Sequence, residues 1–149
     1  MVKFTPLLLL LLLSSCFLLR DLKRESFNYN VNGQVRTLPL QVPRGFDREK
    51  QEVDSVGNTV KFFHYSNGTV FYAAHLVDTA KQYQYINYGR NIPLEHIKGG
   101  WIYKGMDSTD RYWREIRVGP YKYGYIAVPK SHEGDFDEAL NWNSLQPVK

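Results

Sequence analysis

Thr-Val-Lys-Phe-Phe-His-Tyr at residues 59–65, Ser-Asn-Gly at 66–68 and Thr-Val-Phe-Tyr-Ala-Ala-His-Leu at 69–76 form the stretch that decides the fold. Both arms are rich in β-branched and aromatic residues, and Asn67-Gly68 supplies the left-handed positions that a tight turn needs. With Ser66, Asn67 and Gly68 all in the loop, Val60, Phe62 and His64 share a face with Val70, Tyr72 and Ala74. That register gives one largely apolar face, so it is preferred to a two-residue Asn67-Gly68 loop. It also sends His64 and His75 to opposite faces, which rules them out as a shared metal pair.

Working outward from this hairpin, more strands are expected on both sides. Leu38, Leu40 and Val42 alternate with Thr37, Pro39 and Gln41, a half-buried strand that Pro39 pushes toward a sheet edge. Phe46 to Ser55 is dense in charge and is expected as a surface loop or a single helical turn. Asp78 to Gly100 shows no clean period. A meander then runs through Trp101 to Lys104, Arg111 to Val118 and Tyr121 to Val128, with turns at Asp107-Ser108-Thr109-Asp110 and Gly119-Pro120. After Pro129, Ser131 is the expected N-cap of a helix with an acidic start at Glu133, Asp135 and Asp137. Phe136, Ala139 and Leu140 fall at i, i+3 and i+4, so one face of that helix would cover the sheet, and Asn141 would face solvent. The expected class is α+β, a mainly antiparallel β-sheet of about five or six strands with a short C-terminal helix packed on it. A small, partly closed β-barrel is the alternative.

The chain opens differently. Lys3 precedes an apolar run from Leu7 to Leu13, which ends in Leu13-Ser14-Ser15-Cys16. A positive n-region, an apolar h-region and small residues before the cleavage point describe an export signal. Leu-Ser-Ser-Cys resembles the lipobox of bacterial lipoproteins. The resemblance implies lipidation of Cys16 with palmitate-type acyl chains, and cleavage that leaves Cys16 as the first residue. Phe17-Leu18-Leu19 keeps the run apolar past the cysteine, so a single N-terminal membrane anchor is the alternative, although a spanning helix wants about 20 apolar residues. A third option is ordinary cleavage to a secreted form. The expected organisation is a signal peptide over residues 1–16, a flexible tether over 17–33 and one globular β-rich domain over 34–149. Each option places that domain outside the cytoplasm, and the expected site is the bacterial cell envelope.

Composition excludes several function classes. Cys16 is the only cysteine, so no disulfide, thiol nucleophile or cysteine-ligated zinc is expected in the domain. Loss of Lys3 with the signal takes Lys plus Arg from 19 to 18 against 15 acidic residues, a net charge of +3. These charges are interspersed, as in Asp47-Arg48-Glu49-Lys50, without the basic block of a nucleic-acid binder. His96 and His132 have no ligand spacing, and Asp107 with Asp110 lacks the glycine and distal glutamate of a calcium loop, so neither metal nor cofactor is expected. The chain has no Gly-x-Ser-x-Gly elbow, phosphate loop or dinucleotide fingerprint. Glu115, beside Arg114, reads as half of a cross-strand ion pair.

The aromatic residues are the remaining candidates: 11 Tyr, 8 Phe and 3 Trp. Tyr121, Tyr123 and Tyr125 alternate onto one face of a strand, with Tyr112 and Trp113 nearby in sequence. Exposed, these five would make an amphipathic surface for sugar rings or a protein partner; buried, they are core. The expectation is a non-enzymatic envelope lipoprotein that presents its domain for binding or assembly, with an envelope protein or a glycan as partner. An envelope hydrolase acting on glycan or peptidoglycan is the alternative, and it would need two carboxylates in one cleft. The sequence fixes neither the ligand nor an oligomeric state.

Overall fold

The computed structural model describes residues 21–80 and 94–146. Cys16 and the signal segment lie outside the described residues, as do residues 81–93. The described residues form nine strands: β1 (Leu22–Val31), β2 (Gln34–Pro43), β3 (Arg48–Val53), β4 (Thr59–His64), β5 (Val70–His75), β6 (Leu94–Ile97), β7 (Gly100–Met106), β8 (Tyr112–Val118) and β9 (Tyr121–Val128). A 3₁₀ turn, Lys130–His132, leads into one helix, α1 (Glu133–Ser144). Strands β1 and β2 pair only with each other, while the remaining seven form one sheet in the order β3-β4-β5-β9-β8-β7-β6. Every pairing is antiparallel. The class is α+β, and the sheet is not closed into a barrel.

The hairpin that opens the sequence reading forms in the expected register, with Val60 opposite Ala74, Phe62 opposite Tyr72 and His64 opposite Val70. Gly68 takes the positive φ that its turn requires, at 82°. Strands β2, β7, β8 and β9 lie where the alternation places them. Three strands were not expected, and each is missing from the reading for a physical reason.

Strand β1 runs through the segment expected as a flexible tether. Its signal is present: Phe27, Tyr29 and Val31 alternate with polar residues, and Asn32-Gly33 leads directly into Gln34. Asn32 and Gly33 have φ of 51° and 81°, and Val31 pairs with Gln34, so this is a two-residue hairpin loop. Phe27 is fully buried, so the domain begins before Gln34. Strand β3 replaces the expected loop or helical turn; its six residues are all exposed and four are charged, which conceals any period and blunts a sheet edge. Strand β6 falls inside the stretch with no clean period.

Hairpin β1–β2 and helix α1 cover one face of the large sheet. Phe27, Leu40 and Val42 from the hairpin meet Phe63, Phe71 and Ala73 of β4 and β5, while Phe136, Ala139 and Leu140 of α1 close the other end. The helix therefore covers the sheet with the expected residues, and Asn141 is exposed. Its N-cap is His132 rather than Ser131, and no side chain caps it; the Ser131 hydroxyl instead lies 3.0 Å from His132 Nδ1. Helix and hairpin are joined by buried Asn143, whose Oδ1 accepts from Gln41 N at 2.9 Å and whose Nδ2 donates to Gln41 O at 2.8 Å. One amide side chain thus satisfies both backbone groups of a residue 102 positions away.

Candidate functional site

Strand β9 is central, and both of its faces are filled. Tyr121, Tyr123 and Tyr125 do alternate onto one face, but that face is the core under the hairpin and helix, and all three are buried. Burial pushes each of these phenols above its ordinary range. Trp113 is buried on the opposite face, beside Gly105, and Tyr112 is half-buried with the Lys130 ammonium 4.7 Å from its ring centre. The five aromatic residues proposed as a binding surface therefore do not make one. A central strand must pack on both sides, and tyrosine fills that role without exposure.

The opposite face carries the least ordinary chemistry in the fold. Lys122 of β9 and Glu115 of β8 form an ion pair at 3.0 Å with both side chains about 5% exposed or less. Tyr72 of β5, fully buried, donates its hydroxyl to the other oxygen of Glu115. Tyr72 reaches across β9 only because position 124 is glycine: a Cβ there would lie 2.4 Å from the phenol ring. Glu115 thus forms the cross-strand ion pair that its sequence context suggests. Its partner comes from β9, diagonally across the ladder, rather than from the neighbouring Arg114.

The site best shaped for a ligand lies where hairpin β1–β2 meets the start of β9 and the end of β5. It is a cleft of about 720 Å³, with Tyr29, His75 and Tyr121 at its base and Arg36, Leu38 and Pro120 among its walls. The Tyr29 and Tyr121 hydroxyls are 2.6 Å apart, and the His75 ring stacks on Tyr29 at 4.3 Å between centres. His75 is buried and its Nδ1 has no hydrogen-bond partner among the described residues. Burial holds this imidazole below its usual 6.5, so it is neutral at pH 7. A cleft of this size with an apolar wall and a few convergent polar groups is what small-molecule sites share. Sequence reasoning missed it because Tyr29 and Arg36 sit in the hairpin whose first strand passed for a tether. The Phe27-x-Tyr29-x-Val31-Asn32-Gly33 pattern was the available signal.

A second groove, about 410 Å³, holds Glu133 and Asp137 one turn apart on α1, beside Tyr112 and Trp113. Both carboxylates are engaged: Asp137 by Arg114 at 2.9 Å and the Tyr125 hydroxyl at 2.7 Å, Glu133 by Lys130 at 2.7 Å. His64 and His75 lie on opposite faces, as expected. Asp107 serves a turn, accepting from the Thr109 hydroxyl at 2.7 Å and Arg111 N at 3.1 Å, and the Thr109 bond leads in holding it below the usual carboxylate range. Among the described residues no three His, Cys, Asp or Glu side chains converge as a metal site, and no helix is long and apolar enough to cross a membrane. Comparison with protein-family models, with curated proteins and with solved structures finds no match for this chain.

Proposed function

We propose that this chain is a non-enzymatic, lipid-anchored binding protein of the bacterial cell envelope, held at the membrane through Cys16 and presenting the cleft at Tyr29, His75 and Tyr121 to its ligand. The observation that carries the binding half is that cleft, about 720 Å³ and assembled from β1, β2, β5 and β9 at once. The anchoring half is supported by Leu13-Ser14-Ser15-Cys16 behind its leucine run.

Two measurements on the full chain in a bacterial host test the two halves. Labelled palmitate is incorporated by the wild type and not by Cys16→Ser; absence of label from the wild type removes the lipid anchor. A photo-crosslinking residue at Thr37, exposed on the rim of the cleft, captures an envelope component that the same residue at Arg48 does not. Equal capture at the two positions would sink the assignment of binding to the cleft.

One observation favours the hydrolase alternative, namely that Glu133 and Asp137 share a groove. Against it, both carboxylates already hold cations, whereas a general acid or base must be free to exchange its proton with substrate. Turnover of peptidoglycan by the full chain, lost in Asp137→Asn, would replace the binding reading with this one.

A further inference from the structure

The cleft also has a polarity, and this inference rests on the binding reading above. Arg36 stands directly opposite Tyr29 in the β1–β2 ladder, so the two side chains leave the same face of the hairpin. Its described polar contact is a long one, 3.4 Å from Nη2 to the neutral Gln34 side chain, and none of the described residues lining the cleft is acidic. Arg36 therefore brings an uncompensated positive charge to the rim. At the base, the Tyr29 and Tyr121 hydroxyls hold two protons between them and spend one on each other. The second proton is available to an acceptor in the cleft. Leu38, Pro39 and Pro120 form apolar wall.

We propose that the cleft binds a molecule with an apolar body and a single carboxylate, the carboxylate lying between the Arg36 guanidinium and the spare phenol proton of the Tyr29–Tyr121 pair. Guanidinium and phenol are donors with geometry suited to a carboxylate, and one cation matches one negative charge. A phosphate monoester, with nearly twice the charge at pH 7, would find only one cation here. His75 contributes ring surface and no charge, because burial keeps it neutral. Burial, and after it the hydrogen bond shared with Tyr29, keeps Tyr121 a protonated phenol.

Three water-soluble probes that differ only in their head group test the proposal: 3-phenylpropionate, 3-phenylpropanol and 3-phenylpropylammonium, titrated calorimetrically into the full chain. The acid binds at least about tenfold more tightly than the alcohol, and the ammonium binds more weakly still. Arg36→Ala removes the preference for the acid, and Arg36→Lys restores part of it. Arg36 is exposed, so both variants keep the fold. Tyr121→Phe weakens the acid by about threefold to tenfold and leaves the alcohol less affected. Equal binding of acid and alcohol, or an acid preference untouched in Arg36→Ala, overturns the carboxylate while leaving a binding cleft in place. Failure of all three probes also overturns it, and capture from Thr37 then decides the binding reading independently.

Discussion

One face of the seven-stranded sheet is filled by apolar and aromatic residues under a hairpin and a helix; the other is buried around Tyr72, Glu115 and Lys122. Strand β9 serves both, sending Tyr121, Tyr123 and Tyr125 to the first and Lys122 and Gly124 to the second. The first face gains from each apolar group removed from water, and a slightly imperfect fit costs it little. The second gains only if the geometry is met, since a buried charge without its partner is expensive. Position 124 shows the contrast within one strand: any side chain there would displace the Tyr72 ring from Glu115. The faces should therefore respond differently to the same kind of substitution.

An effect as large as any is expected on the charged face. Glu115→Leu takes the Glu115 carboxylate away from the buried Lys122 ammonium, and should cost about 3–5 kcal/mol in urea unfolding. Replacing the whole group, with Tyr72→Phe, Glu115→Leu and Lys122→Met together, should recover most of that loss, because an apolar group of similar volume is often no worse than a buried pair. A triple variant as unstable as the single one would mean that volume, not charge, governs this face.

The apolar face is probed by Phe27→Ala and Leu140→Ala, on the hairpin and helix that cover it. Both residues are fully buried, and losses of about 3–5 and 2–5 kcal/mol are expected respectively. Phe27 also tests where the domain begins. If Phe27→Ala is silent, the segment before Gln34 is a tether after all, and hairpin β1–β2 contributes nothing to the core.

Those two residues also mark what the sequence makes legible. The helix was readable because Phe136, Ala139 and Leu140 repeat at helical spacing, and the hairpin of β4 and β5 because its turn and alternation agree. Strand β3 was not, since an exposed edge strand rich in charge has no apolar period to detect. Strand β1 carried its signal, but its polar residues after Leu19 and its turn-rich end at Asn28 to Gly33 made a tether the simpler reading. The cleft was illegible for a different reason: Tyr29, Arg36, His75 and Tyr121 come from four strands, and only the packing of the hairpin on the sheet assembles them. Burial of the β9 tyrosines was equally hidden, because alternation reports a shared face and not which side of it is wet.

Below both faces in magnitude is the joint between helix and hairpin. Asn143→Ala leaves both backbone groups of Gln41 without their amide partner, in a buried setting. A cost of about 1–3 kcal/mol follows. Asn141→Ala, two residues away and exposed, should change stability by less than about 0.5 kcal/mol. Equal losses at the two positions would mean that helix propensity, rather than the clamp on Gln41, sets the value.

The last effect depends on pH and belongs to His75, the neutral group at the base of the cleft. Burial holds its basicity below the usual 6.5, so below that pH the unfolded chain binds a proton that the folded chain refuses. Stability therefore falls as the solution is acidified through 6.5, by no more than about 1.4 kcal/mol per pH unit from this group, and levels off once folded His75 also protonates. Among the described residues, the groups facing it are the Tyr29 phenol on β1, the Tyr121 phenol on β9 and the Arg36 guanidinium across the cleft from β2. None of them supplies a carboxylate to stabilise an imidazolium, and Arg36 opposes one. His75→Phe keeps a ring on Tyr29 and removes the titration. Its stability relative to wild type should rise between pH 7.5 and pH 5.5, while the other histidines, common to both proteins, cancel in the difference. A difference that does not change with pH would show that His75 is wet in solution, and with it the base of the cleft.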